Sequence, residues 1–235
     1  MMTFEKNQRI TDIVRAAPAT ARAFERLGID YCCRGAEALG EACERAKVPL
    51  ERALGELMEA ARGRTARPIP DSIEELIGRI VDEHHAFTRD EFARLEPLCA
   101  KVVRVHGERH PELRRVAELF AGLRDNLLPH MLKEERVLFP AIRSLATGAS
   151  GAFPFGSLEN PLAVMDAEHN EVGAMLEELS TITQRYVPPE GACGSYRALY
   201  AGLADLQQDV HEHVYLENHV LFPFARELQA RAPAC

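Results

Sequence analysis

Apolar residues recur every three or four positions over most of this chain, which is the spacing of one face of an α-helix. Alternating runs of valine, isoleucine and threonine, which are typical of strands, are absent. The pattern predicts four long amphipathic helices, at roughly 72–104, 111–146, 159–186 and 196–230. Because their connections are short, we expect the four helices to pack as a bundle and the protein to be all-α.

The first part of the chain has a different pattern. Short helical stretches are interrupted at Pro18, Gly28 and Pro49, residues that break or end helices. The stretch 62–70 then combines basic, small and proline residues without an apolar face, and this predicts a linker.

The end of this linker is followed by a helix-start signal. Ser72 and Glu75 have the spacing of a capping box, in which each side chain accepts a backbone N–H from the other residue. We therefore predict a small helical domain over residues 1–62 and a four-helix bundle over residues 71–231.

Two of the predicted long helices carry the same pattern, H-x-x-x-E-x-x-V-L-F-P, starting at His130 and at His213. The other two share a fainter Glu-His pair that ends at His84 and at His169. The bundle is thus predicted to consist of two related helix pairs, each supplying two histidines and one glutamate.

The direction of these polar residues follows from the helical period. In the second long helix the apolar steps of three and four pass from Leu127 through His130 and Glu134 to Val137 and Leu138. The corresponding residues of the fourth helix behave in the same way, and the histidines of the first and third helices also continue an apolar stripe. We therefore expect all four helices to direct a histidine into the core.

Burying imidazoles and carboxylates among leucines and valines is costly unless a partner compensates. Metal cations supply that compensation, and residues four positions apart on a helix are close enough to share a site. The alternative is a set of core histidines that are satisfied by hydrogen bonds, which is the ordinary interpretation of a single buried histidine. Six residues form the predicted metal site: His84, His130, Glu134, His169, His213 and Glu217.

Other polar residues of the bundle do not follow this pattern. His85, His211 and His219 lie off the apolar stripe, and we predict that they are exposed to solvent. Glu91 continues the stripe of the first helix and is expected at the edge of the core, with a ligand or proton-relay role as the alternative. Imidazole suits iron, zinc and copper alike, so the ligand types alone leave the metal open.

Two features make the chain similar to a known family. One is the segment Asp30-Tyr31-Cys32-Cys33-Arg34-Gly35 ahead of the bundle, and the other is the pair of histidine–glutamate patterns, each followed by Leu-Phe-Pro. The bundle resembles haemerythrin-like domains. The whole chain resembles the iron–sulfur cluster repair proteins, the repair of iron centres family of the YtfE/ScdA type.

The resemblance implies a non-haem centre of two iron ions, bridged by an oxo group and by carboxylates. The implied ligands are His84 and His213 on one iron, His130 and His169 on the other, and Glu134 and Glu217 as bridges. Two departures from the family pattern stand out. Arg34 follows the cysteine pair where a glycine is common, and Pro129, directly before a ligand, is expected to remove a helix hydrogen bond and tilt His130.

The resemblance also implies a function, the repair of iron–sulfur clusters damaged by oxidative or nitrosative stress through the supply of iron. One alternative is an enzyme that reduces nitric oxide to nitrous oxide at the di-iron centre. Another is a haemerythrin-type protein that binds or senses O2 or NO, although such a carrier has five histidines and the stripe yields four.

The adjacent Cys32 and Cys33 are candidate functional thiols. With a helix expected to start near Gly35 and with Arg34 beside them, we expect a lowered thiol pKa. They are interpreted as a redox pair, a transient iron or nitrosyl ligand, a client contact, or two buried structural cysteines. The remaining four cysteines are expected to be packing or tail residues: Cys43, Cys99, Cys193 and Cys235.

Charge and composition limit the classes of partner and the cellular location that we expect. The net charge of -8 argues against nucleic acid and anionic membranes held by charge. The first residues lack the apolar segment of a signal peptide, no stretch has the length of a membrane span, and the six cysteines show no paired framework, so a reduced cytoplasmic location is expected. The expected partners are proteins with damaged iron–sulfur clusters and the small ligands NO or O2, and a homodimer is left open.

Overall fold

The computed structural model describes residues 3–62, 68–148 and 153–231 of the chain. In these residues the backbone forms eight helices, counting each π-helical segment with the α-helices that flank it, and two isolated β-bridges. This confirms the all-α fold class, a four-helix bundle preceded by a small helical part. None of the described helices is both long and apolar enough to cross a membrane.

Four short helices precede the bundle, and the predicted breaks at Pro18, Gly28 and Pro49 fall between them. Their bounds are Ile10–Ala16 for α1, Thr20–Leu27 for α2, Leu39–Arg45 for α3 and Leu50–Arg62 for α4. Gly28 ends α2 at a φ of 70°, a left-handed conformation that glycine adopts without steric cost. Most of the predicted linker, residues 63–67, lies outside the described residues.

Four long helices follow, close to the predicted positions. Helix α5 comprises Ile73–Arg79, the π-helical Ile80–His85 and Ala86–His106; α6 comprises Glu112–Lys133, the π-helical Glu134–Leu138 and Phe139–Ala146; α7 is Glu159–Ile182; and α8 comprises Gly194–Leu216, the π-helical Glu217–Leu221 and Phe222–Arg231. The hydroxyl of Ser72 accepts the N–H of Glu75 at 3.1 Å, so the predicted cap starts α5.

Helix α7 ends at Ile182, four residues earlier than the sequence pattern predicts. The reason is local, because Gln184, Arg185 and Tyr186 all have a positive φ, between 51° and 60°. The Thr183 hydroxyl accepts the N–H of Tyr186 at 3.1 Å and holds this turn. A right-handed helix cannot continue through such residues.

The chain divides into two compact units, Met1–Leu76 with His211–Pro223, and Ile77–Val210 with Phe224–Cys235. The first unit has a core built from the four short helices. In this core the ring of Tyr31 contacts the ring of Tyr215 of α8 at a tilt of 50°, with the ring centroids 5.7 Å apart. The core of the second unit consists of leucines, valines and aromatic residues of the long helices. The predicted domain limits, 1–62 and 71–231, stay predictions.

Two of the three π-helical segments begin at a glutamate of the repeated pattern. The carbonyl of Glu134 accepts the N–H of Phe139, and the carbonyl of Glu217 accepts the N–H of Phe222, each five residues further on. In both cases the next residue is a proline, which has no N–H and whose ring would clash with the carbonyl four residues earlier. The repeated Leu-Phe-Pro thus accompanies a repeated π turn.

Each π turn contains one residue more than an α turn, so the buried stripe shifts by one position beyond it. In α5 the buried positions include Ile77, Ile80 and His84 before the shift, and His85, Thr88, Phe92, Leu95, Cys99 and Val102 after it. The prediction that His85 is exposed is therefore wrong, because its side chain is 0% exposed. His211 and His219 were also predicted at the surface, and both are partly buried.

The same shift occurs in α6. Val137, which the α-helical period directs into the core, is 45% exposed, whereas Leu138 is 1% exposed. The helix continues through Pro129 without interruption, and His130 is buried. The prediction that Val137 faces the core was therefore wrong, for the same reason as at His85.

Candidate metal centre

All six residues of the predicted metal site are buried, with exposed fractions of 4% or less. They are His84, His130, Glu134, His169, His213 and Glu217. Each occupies a position where the helical stripe would otherwise carry an aliphatic side chain. Burial of so many ionisable groups is costly unless they are paired or bind a cation.

The rings of His130 and His169 face each other across helices α6 and α7. Their Nε2 atoms are 3.0 Å apart and their ring centroids 4.7 Å apart. The Nε2 atom of His130 also lies 3.4 Å from a carboxylate oxygen of Glu134. Two imidazole nitrogens and a carboxylate oxygen that converge in this way have the arrangement expected of ligands around a cation.

The fourth long helix supplies an equivalent pair. His213 Nε2 lies 3.0 Å from Glu217 Oε1, and both side chains are 0% exposed. The pair spans one helical turn, the same separation as His130 and Glu134, so the repeated sequence pattern gives a repeated local geometry.

Two clusters of buried ligand atoms result, and in each cluster the atoms all lie within 4.8 Å of one another. One consists of His85, Glu134, His213 and Glu217, and the other of His130, Glu134, His169 and Glu217. Both clusters contain the same two glutamates. A carboxylate has two oxygens, so each glutamate can contact a different cation with each oxygen.

The structure brings five of the six predicted residues into these clusters, and it places the adjacent His85, instead of His84, in the first one. His85 Nε2 lies 3.4 Å from Glu134 Oε2. His84 is also buried and directs its Nδ1 to Asp209, at 2.9 Å. The π turn is the reason that two consecutive histidines are both inside.

Sequence reasoning missed three carboxylates that orient these imidazoles. The Nδ1–H of His84 donates to Asp209, that of His85 to Glu135 at 2.7 Å and that of His130 to Glu168 at 2.8 Å. A carboxylate on Nδ1 fixes the tautomer, directs Nε2 inward and makes it a better metal ligand. Glu135 and Glu168 are each adjacent in sequence to a predicted ligand, and this adjacency is the signal that could have found them.

Hydrogen bonds from basic side chains hold two of these carboxylates in the charged form. Burial alone would raise the pKa of Glu135, but hydrogen bonds from Arg89 and His85 outweigh it and the pKa is lowered. The pKa of Glu168 is lowered in the same way, because bonds from Lys133 and His130 outweigh its burial. Glu135 and Glu168 therefore stay negatively charged next to the Nδ1–H groups of His85 and His130.

The donor set fits iron. Imidazole nitrogens and carboxylate oxygens are ligand types that iron accepts. The haemerythrin-like bundle and its buried histidine–glutamate clusters indicate iron binding.

The cysteine pair lies on the loop between α2 and α3. Cys32 is 2% exposed and Cys33 is partly buried. The expected lowering of the thiol pKa is wrong for Cys32, because a hydrogen bond with Cys33, burial and the charge of Asp30 raise it well above its usual value. The physical reason is that α3 begins only at Leu39, too far for its N-terminus to stabilise a thiolate, and that Arg34 pairs with Glu37.

The other described cysteines are Cys43 and Cys99, which are buried, and Cys193, which is exposed. Burial raises the pKa of Cys99 to about 11 and also raises that of Cys43, in keeping with packing roles. None of the five described cysteines forms a disulfide, and Cys235 lies outside the described residues.

The fold and the buried clusters define a haemerythrin-like cation-binding protein. Residues 76–225 match the family described as Hemerythrin HHE cation binding domain. Residues 6–61 match ScdA_N, a domain of unknown function (DUF542). Both of the features that carried the resemblance therefore lie in matched regions.

Curated relatives match nearly the whole chain. The iron-sulfur cluster repair protein ScdA of Staphylococcus haemolyticus is 35% identical over 216 residues, 91% of this chain and 95% of the relative. The iron-sulfur cluster repair protein YtfE of Yersinia pseudotuberculosis is 34% identical over 227 residues, 94% of this chain and 97% of the relative. The chain belongs to the family of ScdA- and YtfE-type iron–sulfur cluster repair proteins.

Proposed function

We propose that this protein repairs iron–sulfur clusters damaged by oxidative or nitrosative stress, and that it does so by supplying iron from a di-iron centre in the bundle. The observation that carries the proposal is the pair of buried clusters that share Glu134 and Glu217. Its family supports the repair role, since relatives that match more than nine tenths of the chain are named iron-sulfur cluster repair proteins.

In this centre, His130 and His169 would hold one iron, and Glu134 and Glu217 would supply carboxylate oxygens to both. His213 and one histidine of the adjacent pair would hold the second iron. The resemblance implies His84 for this position, whereas the cluster geometry favours His85. When bound, the iron pair supplies redox-active cations that can be released to an acceptor.

The residues around the centre orient the ligands and keep water out. Glu135 and Glu168 accept the Nδ1–H of His85 and His130, so that each Nε2 is held toward the cluster. The long helices surround the ligands with aliphatic side chains, which lowers the local dielectric constant and strengthens every charge interaction at the site.

Anaerobic transfer of iron tests the proposal. The purified full-length protein is loaded with isotopically labelled iron and incubated with sulfide and an enzyme whose iron–sulfur cluster has been damaged by nitric oxide. We expect labelled iron in the rebuilt cluster, measured by Mössbauer spectroscopy, together with recovered enzyme activity. Iron that stays on the protein while the acceptor remains damaged would reject the donor role.

The matched control is Glu118→Gln, an exposed glutamate on the same helix as Glu134. This variant loses one negative charge, as Glu134→Gln does. Its position, however, is far in sequence from the residues of the clusters. Glu134→Gln is expected to abolish repair, whereas Glu118→Gln is expected to repair at the wild-type rate. Equal repair by both variants would show that the repair activity does not depend on the proposed centre.

One observation favours a second candidate, a haemerythrin-type protein that binds O2 or NO. The sequence stripe yielded four core histidines, but the described bundle buries five, because His85 joins His84. Five histidines are the number that such a carrier requires. A reversible absorption band on exposure of the ferrous protein to O2 would support this candidate, and irreversible oxidation would reject it.

Reduction of nitric oxide stays a prediction that the same preparation can test. Nitrous oxide produced over many turnovers, with an added reductant that supplies two electrons for each nitrous oxide, would establish the enzyme, and a single stoichiometric yield would not. We further propose that the protein acts in the cytoplasm on iron–sulfur proteins, where a reducing environment keeps its described cysteines as thiols. A homodimer stays a prediction.

A further inference from the structure

A second set of potential ligands lies outside the bundle clusters, on the loop between α2 and α3. Single ligand atoms of Asp30, Cys32 and Cys33 all lie within 4.8 Å of one another. Among the described residues this is the one such set that contains thiols. Cys32 is buried, while Asp30 and Cys33 are partly exposed, so the set is within reach of solvent on one side.

The backbone of this loop explains why the three side chains converge. Gly28 ends α2 in the left-handed conformation and turns the chain. Asp30 Oδ1 then accepts the backbone N–H of Cys32 at 3.0 Å and that of Cys33 at 2.9 Å. This turn brings the two Sγ atoms to 3.7 Å from each other and Cys32 Sγ to 3.3 Å from Asp30 Oδ1.

These separations match those between the ligands of a tetrahedral cation. Two thiolates bound at about 2.3 Å, with a tetrahedral angle between them, have sulfur atoms about 3.8 Å apart. The observed distance between the Sγ atoms of Cys32 and Cys33 is 3.7 Å. A carboxylate oxygen in a third position would lie about 3.6 Å from each sulfur, a few tenths of an ångström more than the 3.3 Å observed from Cys32.

The loop is also held by the helical segment that carries His213 and Glu217. The Nε2–H of His219 donates to the carbonyl of Cys32 at 2.7 Å. The His219 ring lies so close to Gly35 that a Cβ there would be 2.5 Å from Nε2, so the loop backbone lies directly against this ring. The cysteines are therefore presented by a fixed backbone, which lowers the entropic cost of binding a cation.

We propose that Asp30, Cys32 and Cys33 form a separate site for one divalent transition cation of the iron(II) or zinc(II) type. Thiolates and carboxylate supply three ligands, and the fourth position stays open, as in sites that exchange a ligand. On binding, each thiol gives its proton to solvent and its sulfur binds the cation, so that no oxidant or reductant takes part. The site does not depend on the repair function and would exist if the bundle donated no iron.

Competition with protons makes the site exchangeable. Each thiol must lose its proton before its sulfur binds a cation. The proton and the cation therefore compete for the same sulfur. A site of this kind takes up a cation when the supply is high and loses it when a stronger acceptor is near.

Titration of the reduced, metal-free full-length protein with cobalt(II) tests the proposal. Cobalt bound by thiolates has a charge-transfer absorption in the near ultraviolet, which cobalt bound by imidazole and carboxylate in the bundle lacks. We expect this band to reach the intensity of one thiolate-bound cobalt per chain, while the bundle takes up further cobalt without adding to the band. In Cys33→Ser the band should lose intensity and the affinity should fall by at least about tenfold.

Two further variants complete the test. Asp30→Asn keeps an oxygen that accepts the two backbone N–H groups, so the loop stays folded while the charged ligand is lost. We expect it to keep the band with an affinity lower by about tenfold. Cys193→Ser removes an exposed thiol elsewhere on the chain and should leave the band unchanged.

Three results would overturn the proposal. One is a wild-type titration without the charge-transfer band, and another is an unchanged band in Cys33→Ser. The third is a disulfide between Cys32 and Cys33 that persists under the reducing conditions of the titration and excludes cobalt, detected by intact mass. Circular dichroism and the melting temperature confirm that each variant is folded. If Cys33→Ser is unfolded, an unchanged cobalt affinity in Asp30→Asn would overturn the proposal instead.

Discussion

Glu134→Gln is the substitution that tests the centre most directly. Glu134 is 0% exposed and belongs to both clusters of ligand atoms, so both cations lose a charged ligand in this variant. Glutamine has the same shape, so packing is preserved. Metal binding and folding stability can then be separated, because the substitution affects the first strongly and the second weakly.

The magnitude follows from linkage between binding and folding. A cation at a free concentration of about 100 times its Kd stabilises the folded state by about 2.7 kcal/mol. For a chain of this size each kcal/mol raises the Tm by about 2–4 °C, so each bound cation adds about 5–11 °C. Loss of the shared ligand should lower the affinity for both cations by at least about 100-fold and remove most of this increase in Tm. The metal-free variant should be no less stable than the metal-free wild type, because a neutral amide costs less to bury than a carboxylate.

The assay is a thermal melt, by circular dichroism, with and without iron(II) under anaerobic conditions, paired with metal analysis after desalting. The control is Glu135→Gln, whose carboxylate contacts only His85 of the clusters and is 24% exposed. This control should lower the affinity for one cation by about tenfold and leave the affinity for the other unchanged. If Glu134→Gln bound two equivalents and kept the full increase in Tm, the shared-ligand arrangement would be refuted.

Three further predictions concern other parts of the chain. His84→Ala and His85→Ala should differ in iron content. Only the replacement of the histidine that binds the second iron should lower the iron content by one equivalent, and an equal loss in both variants would mean that both histidines are ligands. Burial raises the pKa of Glu25 to about 7, so the folded state binds its proton more tightly than the unfolded state and stability should fall as the pH rises from about 4.5 to 7. Glu25→Gln should abolish this fall and add about 3 kcal/mol above pH 7, measured by urea unfolding; an unchanged pH profile would contradict it. Gly35→Ala would place a Cβ 2.7 Å from the carbonyl oxygen of Tyr31 and should destabilise the protein by about 1–3 kcal/mol, measured by chemical denaturation, whereas Gly55→Ala, with open space, should not.

The helical period was sufficient to predict the fold class and most helix bounds. Steps of three and four identified the buried faces of all four long helices, because an amphipathic helix must bury its apolar stripe. The period also placed His130, Glu134, His169, His213 and Glu217 inside, since polar residues on an apolar stripe share its direction.

The prediction failed where the backbone leaves the α-helical period. His85 and Val137 were assigned to the wrong sides because a π turn shifts each stripe by one residue. Pro140 and Pro223 are visible in the sequence and mark two of these turns, but the turn in α5 has no proline of this kind. The carboxylate behind His84 could not be predicted either, because Asp209 and His84 are far apart in sequence.

The sequence by itself therefore determined the elements, most of the buried positions and the residue types of the metal site, because these depend on a short-range period and on the cost of burying charge. Only the tertiary structure decided which ligand atoms share a cluster, and which of two adjacent histidines joins it. It also decided that Asp30, Cys32 and Cys33 converge and that the pKa of Cys32 is raised. These properties depend on distances between side chains, which vary by ångströms with a single extra residue in a helical turn.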